Sequence, residues 1–222
     1  MGQQIQLTAA DGFQLSAYRA DPPQPPRGGI VVIQEIFGVN AHIREVADQY
    51  SNAGYLAIAP AMFDRVQRGI ELAYDPPSIG RGVELANQLA PDHTLLDLRA
   101  AIGAAAVAGK VGVVGYCWGG SIAYFAAAHT QIAAAVSYYG GRTLQLLHDK
   151  PRCPVMYHFA GLDKMIPDAM IDQIRAAHPA GIFHLYKNAD HGFNCSHRAS
   201  HEPASAALAF ERSLAFFREH VG

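Results

Sequence analysis

Along this chain, short apolar runs recur between longer stretches in which apolar residues return every three or four positions. The runs at 30–33, 56–59, 111–114, 133–139, 155–159 and 183–186 are rich in β-branched and aromatic residues, and helical patterns separate most of them. That rhythm predicts parallel strands joined by crossover helices. Upstream, 5–8 and 13–18 flank Asp11-Gly12, a tight-turn pair that predicts an antiparallel hairpin at the start of the same sheet. The count is eight strands.

The first helix is predicted to start at an Asn40 cap, to carry Ile43, Val46, Ala47 and Tyr50 on one face, and to stop at Gly54. Further helices are expected at 94–108, 118–129, 168–177 and 203–220, with Asp168 as an N-terminal cap. The Pro-rich stretches 21–26 and 75–77 read as connecting loops, neither long enough to divide the chain. With no internal repeat, a single α/β domain over 1–222 is the expected organisation.

Composition narrows the choice of ligand. Of 222 residues half are hydrophobic and only 16% charged, which describes a globular chain rather than a disordered one. A formal net charge of -2 gives no reason to seek nucleic acid or an anionic membrane, so the expected partner is a small molecule. No signal-peptide pattern opens the chain, and the apolar stretch 111–128 is broken by glycines and Ser121, so no membrane span and a cytoplasmic location are expected. Three cysteines, Cys117, Cys153 and Cys195, form no C-x-x-C pair, which argues for reduced thiols over a disulfide framework or a cysteine zinc site. The Asn194 sequon is a chance match in a chain without an export signal.

The chemistry concentrates where strands end. Strand 111–114 runs into Gly115-Tyr116-Cys117-Trp118-Gly119, a G-x-S-x-G elbow with cysteine in place of serine. Small residues flank the turn so that backbones can cross closely and the central side chain can stand above the sheet. Such a glycine pattern around a buried cysteine also occurs as plain packing. The apolar strand before it and the alanine-rich helix after it favour a nucleophile. A thiol there needs a base, and α/β-hydrolases supply partners in the order nucleophile, acid, histidine. Asp163 follows strand 155–159 and His191 follows strand 183–186, both on the same sheet edge. An aspartate in a loop is more often a turn former, and ten other histidines compete with His191; order and position select these two. His184 falls inside a strand, and His197 and His201 sit in a polar loop. Glu35, just after strand 30–33, lies beside the expected oxyanion position, where a carboxylate would perturb a neighbouring thiol.

The segments QEIFGVN at 34–40, GYCWGG at 115–120, Asp163, and DHGF at 190–193 together resemble the dienelactone hydrolase (carboxymethylenebutenolidase) family over essentially the whole chain. The resemblance implies an α/β-hydrolase fold, a mostly parallel eight-stranded sheet with an antiparallel N-terminal hairpin and helices on both faces. It implies Cys117 as nucleophile, His191 as base, Asp163 as orienting acid, and Glu35 in contact with the resting thiol. It implies an oxyanion hole from the backbone N–H groups of Ile36 and Trp118, and arginines that grip a substrate carboxylate. Arg81 and Arg198 answer to these. Arg198, however, lies further beyond His191 than the family's second arginine, whose place Cys195 takes. The implied reaction opens an enol-lactone, of the dienelactone to maleylacetate type, through a thioester, with no metal or organic cofactor. Rival readings are a general small-ester carboxylesterase, a redox thiol protein, and a non-catalytic ligand-binding domain. The dinucleotide form of the last fits poorly, since 115–120 is not G-x-G-x-x-G. A monomer or small homo-oligomer fits all of them.

Overall fold

The structure, a computed structural model, describes residues 2–222. The hairpin forms as the turn pair requires: β1 (Gln3–Thr8) and β2 (Gln14–Ala20) pair antiparallel, and Gly12 takes the left-handed φ of +83°. The remaining strands are β3 (Gly29–Ile33), β4 (Leu56–Pro60), β5 (Val111–Tyr116), β6 (Ala134–Tyr138), β7 (Val155–Ala160) and β8 (Ile182–Tyr186). Their order is β1-β2-β4-β3-β5-β6-β7-β8, with β2 antiparallel to β4 and every later pairing parallel. Every residue of β3 to β7 is buried, as expected where both faces of a parallel sheet are covered.

Among the described residues, six α-helices cover it: α1 (Ala41–Asn52), α2 (Pro76–Gln88), α3 (Pro91–Ala105), α4 (Trp118–His129), α5 (Asp168–Ala177) and α6 (Pro203–His220). The pleat of β5 separates two of the layers. Gly112 faces the Phe217 ring of α6, whereas Gly115, three positions on and therefore on the opposite face, abuts Gly119 of α4. On the α6 side, Tyr50 of α1 meets Phe210 and Phe217 edge to face. Asn40 caps α1 by accepting from the Ile43 N–H, and Gly54 follows its end at φ +100°. Among the described residues, no helix is long and apolar enough to cross a membrane.

Three sequence expectations are corrected. The Asp75-Pro76-Pro77 stretch is not a loop: Asp75 caps α2 by accepting from Ser78 N–H at 2.8 Å, and the prolines occupy its first turn. Proline suits that place, where the helix has no use for an N–H. α3 begins at Pro91 rather than residue 94, and Ala106–Ala108 tightens into a 3₁₀ turn. Asp168 lies inside the first turn of α5, with Pro167 at the cap position.

Under the site, a buried polar network ties β6, β7 and β8 to α6. Ser213 Oγ donates to the Ala209 carbonyl and meets Tyr138 Oη at 2.8 Å and His158 Nε2 at 3.0 Å; His158 Nδ1 meets Tyr186 Oη at 2.8 Å. With the Ser213 proton committed, His158 must donate from Nε2, and in the neutral imidazole Nδ1 then accepts from Tyr186 Oη. Burial above all, then the nearby His184 and Arg212, drives its pKa well below the ordinary value. An unfolded chain takes up this proton near pH 6.5 while the native one refuses it, so stability is retained above that pH and lost as pH falls. His158 is therefore expected to add up to about 1.4 kcal/mol per pH unit to the slope of unfolding free energy below about pH 6. Urea melts between pH 7 and 5 should show it, and His158→Gln, which keeps the Ser213 hydrogen bond, should flatten the slope.

Candidate active site

β5 runs straight into Cys117, and α4 begins at the next residue. Between them the chain turns so sharply that Cys117 sits at φ +55°, a backbone region strained for any residue with a side chain. The turn is pinned at both ends, by Cys117 N–H to the Tyr138 carbonyl at 3.0 Å and Gly120 N–H to the Cys117 carbonyl at 3.0 Å. A methyl on Gly115 would overlap the Gly119 carbonyl, and one on Gly119 would run into the end of β3. The elbow thus needs glycine on both sides, and it lifts a half-buried thiol to the C-terminal edge of the sheet.

Two other strand ends meet it there. Asp163, buried after β7, accepts from the Met165 N–H at 2.9 Å with one carboxylate oxygen and contacts His191 Nδ1 at 2.7 Å with the other. His191, after β8, places Nε2 3.1 Å from Cys117 Sγ. Its ring packs beside Tyr139, centroids 5.1 Å apart. Burial alone would lower the imidazole pKa, but the Cys117 sulfur and the Asp163 carboxylate outweigh it and raise it to about 10. An imidazole held this way stands within proton-transfer distance of the thiol.

Glu35 is brought to the same region but not to the thiol. Expected beside the resting sulfur, it instead faces Arg198, Oε1 to Nη1 at 3.4 Å, while the thiol bonds His191. The carboxylate is buried and its second oxygen has no hydrogen-bond partner. Burial pushes its pKa up, against the pull of Arg198 and His191. Arg198 arrives there because the segment after β8 coils through successive turns, closed by Cys195 N–H to Gly192 O, Arg198 N–H to Cys195 O and Glu202 N–H to Phe193 O. Gly192 makes this possible: its φ is +79°, and any side chain there would collide with the Arg198 guanidinium.

The backbone N–H groups of Ile36 and Trp118 lie at the ends of β3 and β5, and among the described residues neither donates to a protein acceptor. α2 presses Gly82 against the Ile36 carbonyl, which belongs to the peptide that follows this N–H. Arg81, the neighbouring residue, is half-buried and donates to Gln67 Oε1 at 2.6 Å and to Glu84 at 3.2 Å, so the structure does not bring it into contact with the other candidates. Sequence reasoning passed over His42 and Tyr74, and read Cys195 only as a departure from the family pattern. All three pack behind Glu35, and their only sequence signal was His42's place just after the Asn40 cap.

A mostly parallel eight-stranded sheet, a strained strand-to-helix elbow and later strand ends supplying acid then histidine define the α/β-hydrolase fold. The family model for the dienelactone hydrolase family matches residues 15–221. Carboxymethylenebutenolidase from Pseudomonas putida is 33% identical, the match covering 96% of this chain and 94% of that protein. A Synechocystis relative, provisionally named a carboxymethylenebutenolidase, is 36% identical over 94% of this chain and 93% of its own length. A crystal structure from Klebsiella pneumoniae, provisionally named a dienelactone hydrolase, superposes with a TM-score of 0.87 at 30% identity, over 99% of this chain and 100% of that one. The chain belongs to the dienelactone hydrolase family.

Proposed function

We propose that this hydrolase opens an enol-lactone through a thioester on Cys117, converting a dienelactone to a maleylacetate-type acid. The observation that carries the reading is the continuous contact from Asp163 through His191 to Cys117, 2.7 Å and 3.1 Å long. In this reading His191 Nε2 takes the thiol proton, and the sulfur attacks the lactone carbonyl. The carbonyl oxygen gains the electron pair and settles against the N–H groups of Ile36 and Trp118. Collapse breaks the ring C–O bond and expels an enolate, a good leaving group, which takes the proton from His191 and becomes a ketone. Water, giving a proton to His191, then cleaves the thioester. Asp163 holds the imidazole in the tautomer and orientation both half-reactions need.

In this reading Arg198, partly buried beside Glu35 and near the rings of Phe37 and Tyr74, is the cation that receives a substrate carboxylate. Assay of cis- and trans-dienelactone hydrolysis, with mass-spectrometric trapping of an acyl group on Cys117, tests the reading; no turnover of either isomer overturns the substrate. Arg198→Ala is expected to raise KM for dienelactone by about 10-fold or more, the worth of one charge-assisted hydrogen bond, with little change for neutral p-nitrophenyl acetate. Equal losses on both would mean that Arg198 serves Glu35 alone. The engagement of Arg81 by Gln67 and Glu84 favours a second reading, a carboxylesterase of small neutral esters, which predicts p-nitrophenyl acetate as the better substrate.

A further inference from the structure

Behind the proposed catalytic residues lies a second group of side chains that the hydrolysis does not use as a set. Glu35 from the end of β3, His42 from the first turn of α1 and Cys195 from the segment after β8 each point a ligand atom at one place, the three atoms lying within 4.8 Å of one another. All three residues are buried, with exposures of 1%, 3% and 0%. The cluster is unsatisfied in a specific way: Glu35 Oε2 and His42 Nε2 are both buried with no hydrogen-bond partner. Buried polar atoms normally find partners, and two orphans on residues clustered with one thiol ask for a group that accepts their lone pairs at once.

We propose that Glu35 Oε2, His42 Nε2 and Cys195 Sγ form a binding site for a zinc ion, with water as the fourth ligand. Sulfur, nitrogen and oxygen in one set exclude calcium and magnesium and suit Zn²⁺. Bond lengths of about 2.0–2.3 Å put tetrahedral ligand atoms roughly 3.4–3.6 Å apart, so the cluster has to contract by about 1 Å, within reach of small side-chain rotations. Charge balances as well. Zinc binding forms the Zn–S bond as the Cys195 proton leaves to solvent, and the resulting thiolate and the Glu35 carboxylate neutralise the dication. His42 also belongs to an outer set with Glu45 and His197, two exposed residues joined at 2.9 Å, and its ring lies 5.9 Å from that of His197. Because Glu35 is shared, bound zinc would draw its carboxylate from Arg198 and leave that guanidinium free.

The test reads metal binding rather than turnover, so it stands or falls independently of the proposed hydrolysis. Purified, chelator-stripped protein is titrated with ZnCl₂ by calorimetry and with CoCl₂ by absorption, where cobalt bound to a thiolate gives an intense near-ultraviolet charge-transfer band. The expected result is one ion per chain and a band that survives in Cys117→Ala but disappears in Cys195→Ala. His42→Gln, a second variant that leaves the thiol in place, should weaken zinc at least about 10-fold, and His197→Ala should leave the affinity within threefold. No stoichiometric binding by the parent protein overturns the proposal. So does a band lost with Cys117, which would assign the ion to the elbow, or binding lost with His197, which would assign it to the surface set.

Discussion

Cys117→Ala is expected to lower kcat/KM for dienelactone by about 10⁴-fold or more, because residues that act as one nucleophilic unit lose nearly all their effect when the attacking atom is gone. The residual rate would come from the Ile36 and Trp118 donors and from binding. A companion substitution separates chemistry from architecture. At φ +55° every side chain is strained, so Cys117→Gly should be as inactive as the alanine variant yet about 1 kcal/mol more stable in urea melts. Turnover by Cys117→Ala equal to that of the parent would end the nucleophile assignment.

Asp163→Asn should keep the fold and reduce kcat/KM by about 10²–10⁴-fold. An amide can donate to Nδ1 and so stabilise the tautomer with its proton on Nε2, which cannot accept from the thiol. The pH profile supplies a second signature. The Asp163 carboxylate is one of the groups that raise the His191 pKa to about 10 against burial. Removing that negative charge lowers the pKa, so the alkaline limb, where the imidazolium needed by the leaving enolate is lost, should move to lower pH. An unshifted limb, or near-parental activity, would remove Asp163 from the mechanism.

How much of this was readable in the residues depends on how local the determinant is. Cys117, Asp163 and His191 were legible because each follows a strand, and a parallel sheet delivers successive strand ends to one edge. The Asn40 cap and Gly54 stop were legible because each works within one turn of its helix. α2 was not, since Asp75-Pro76-Pro77 has the composition of a connecting loop, yet it is a cap followed by a first turn whose N–H groups have no intrahelical partner, where both prolines fit. The partner of Glu35 was equally hidden. Whether that carboxylate meets Cys117 or Arg198 is decided by the coil after β8 and by Gly192's open side, a three-dimensional accommodation with no periodic trace in the sequence.

The thiol and its imidazole are separated by most of the second half of the chain: Cys117 follows β5, yet His191 is supplied only after β8, the outermost strand beyond β6 and β7. During synthesis the sulfur therefore emerges from the ribosome 74 residues ahead of the imidazole it contacts in the folded chain. The contact between them closes only once β8 and the segment after it have been added at the far edge of the sheet.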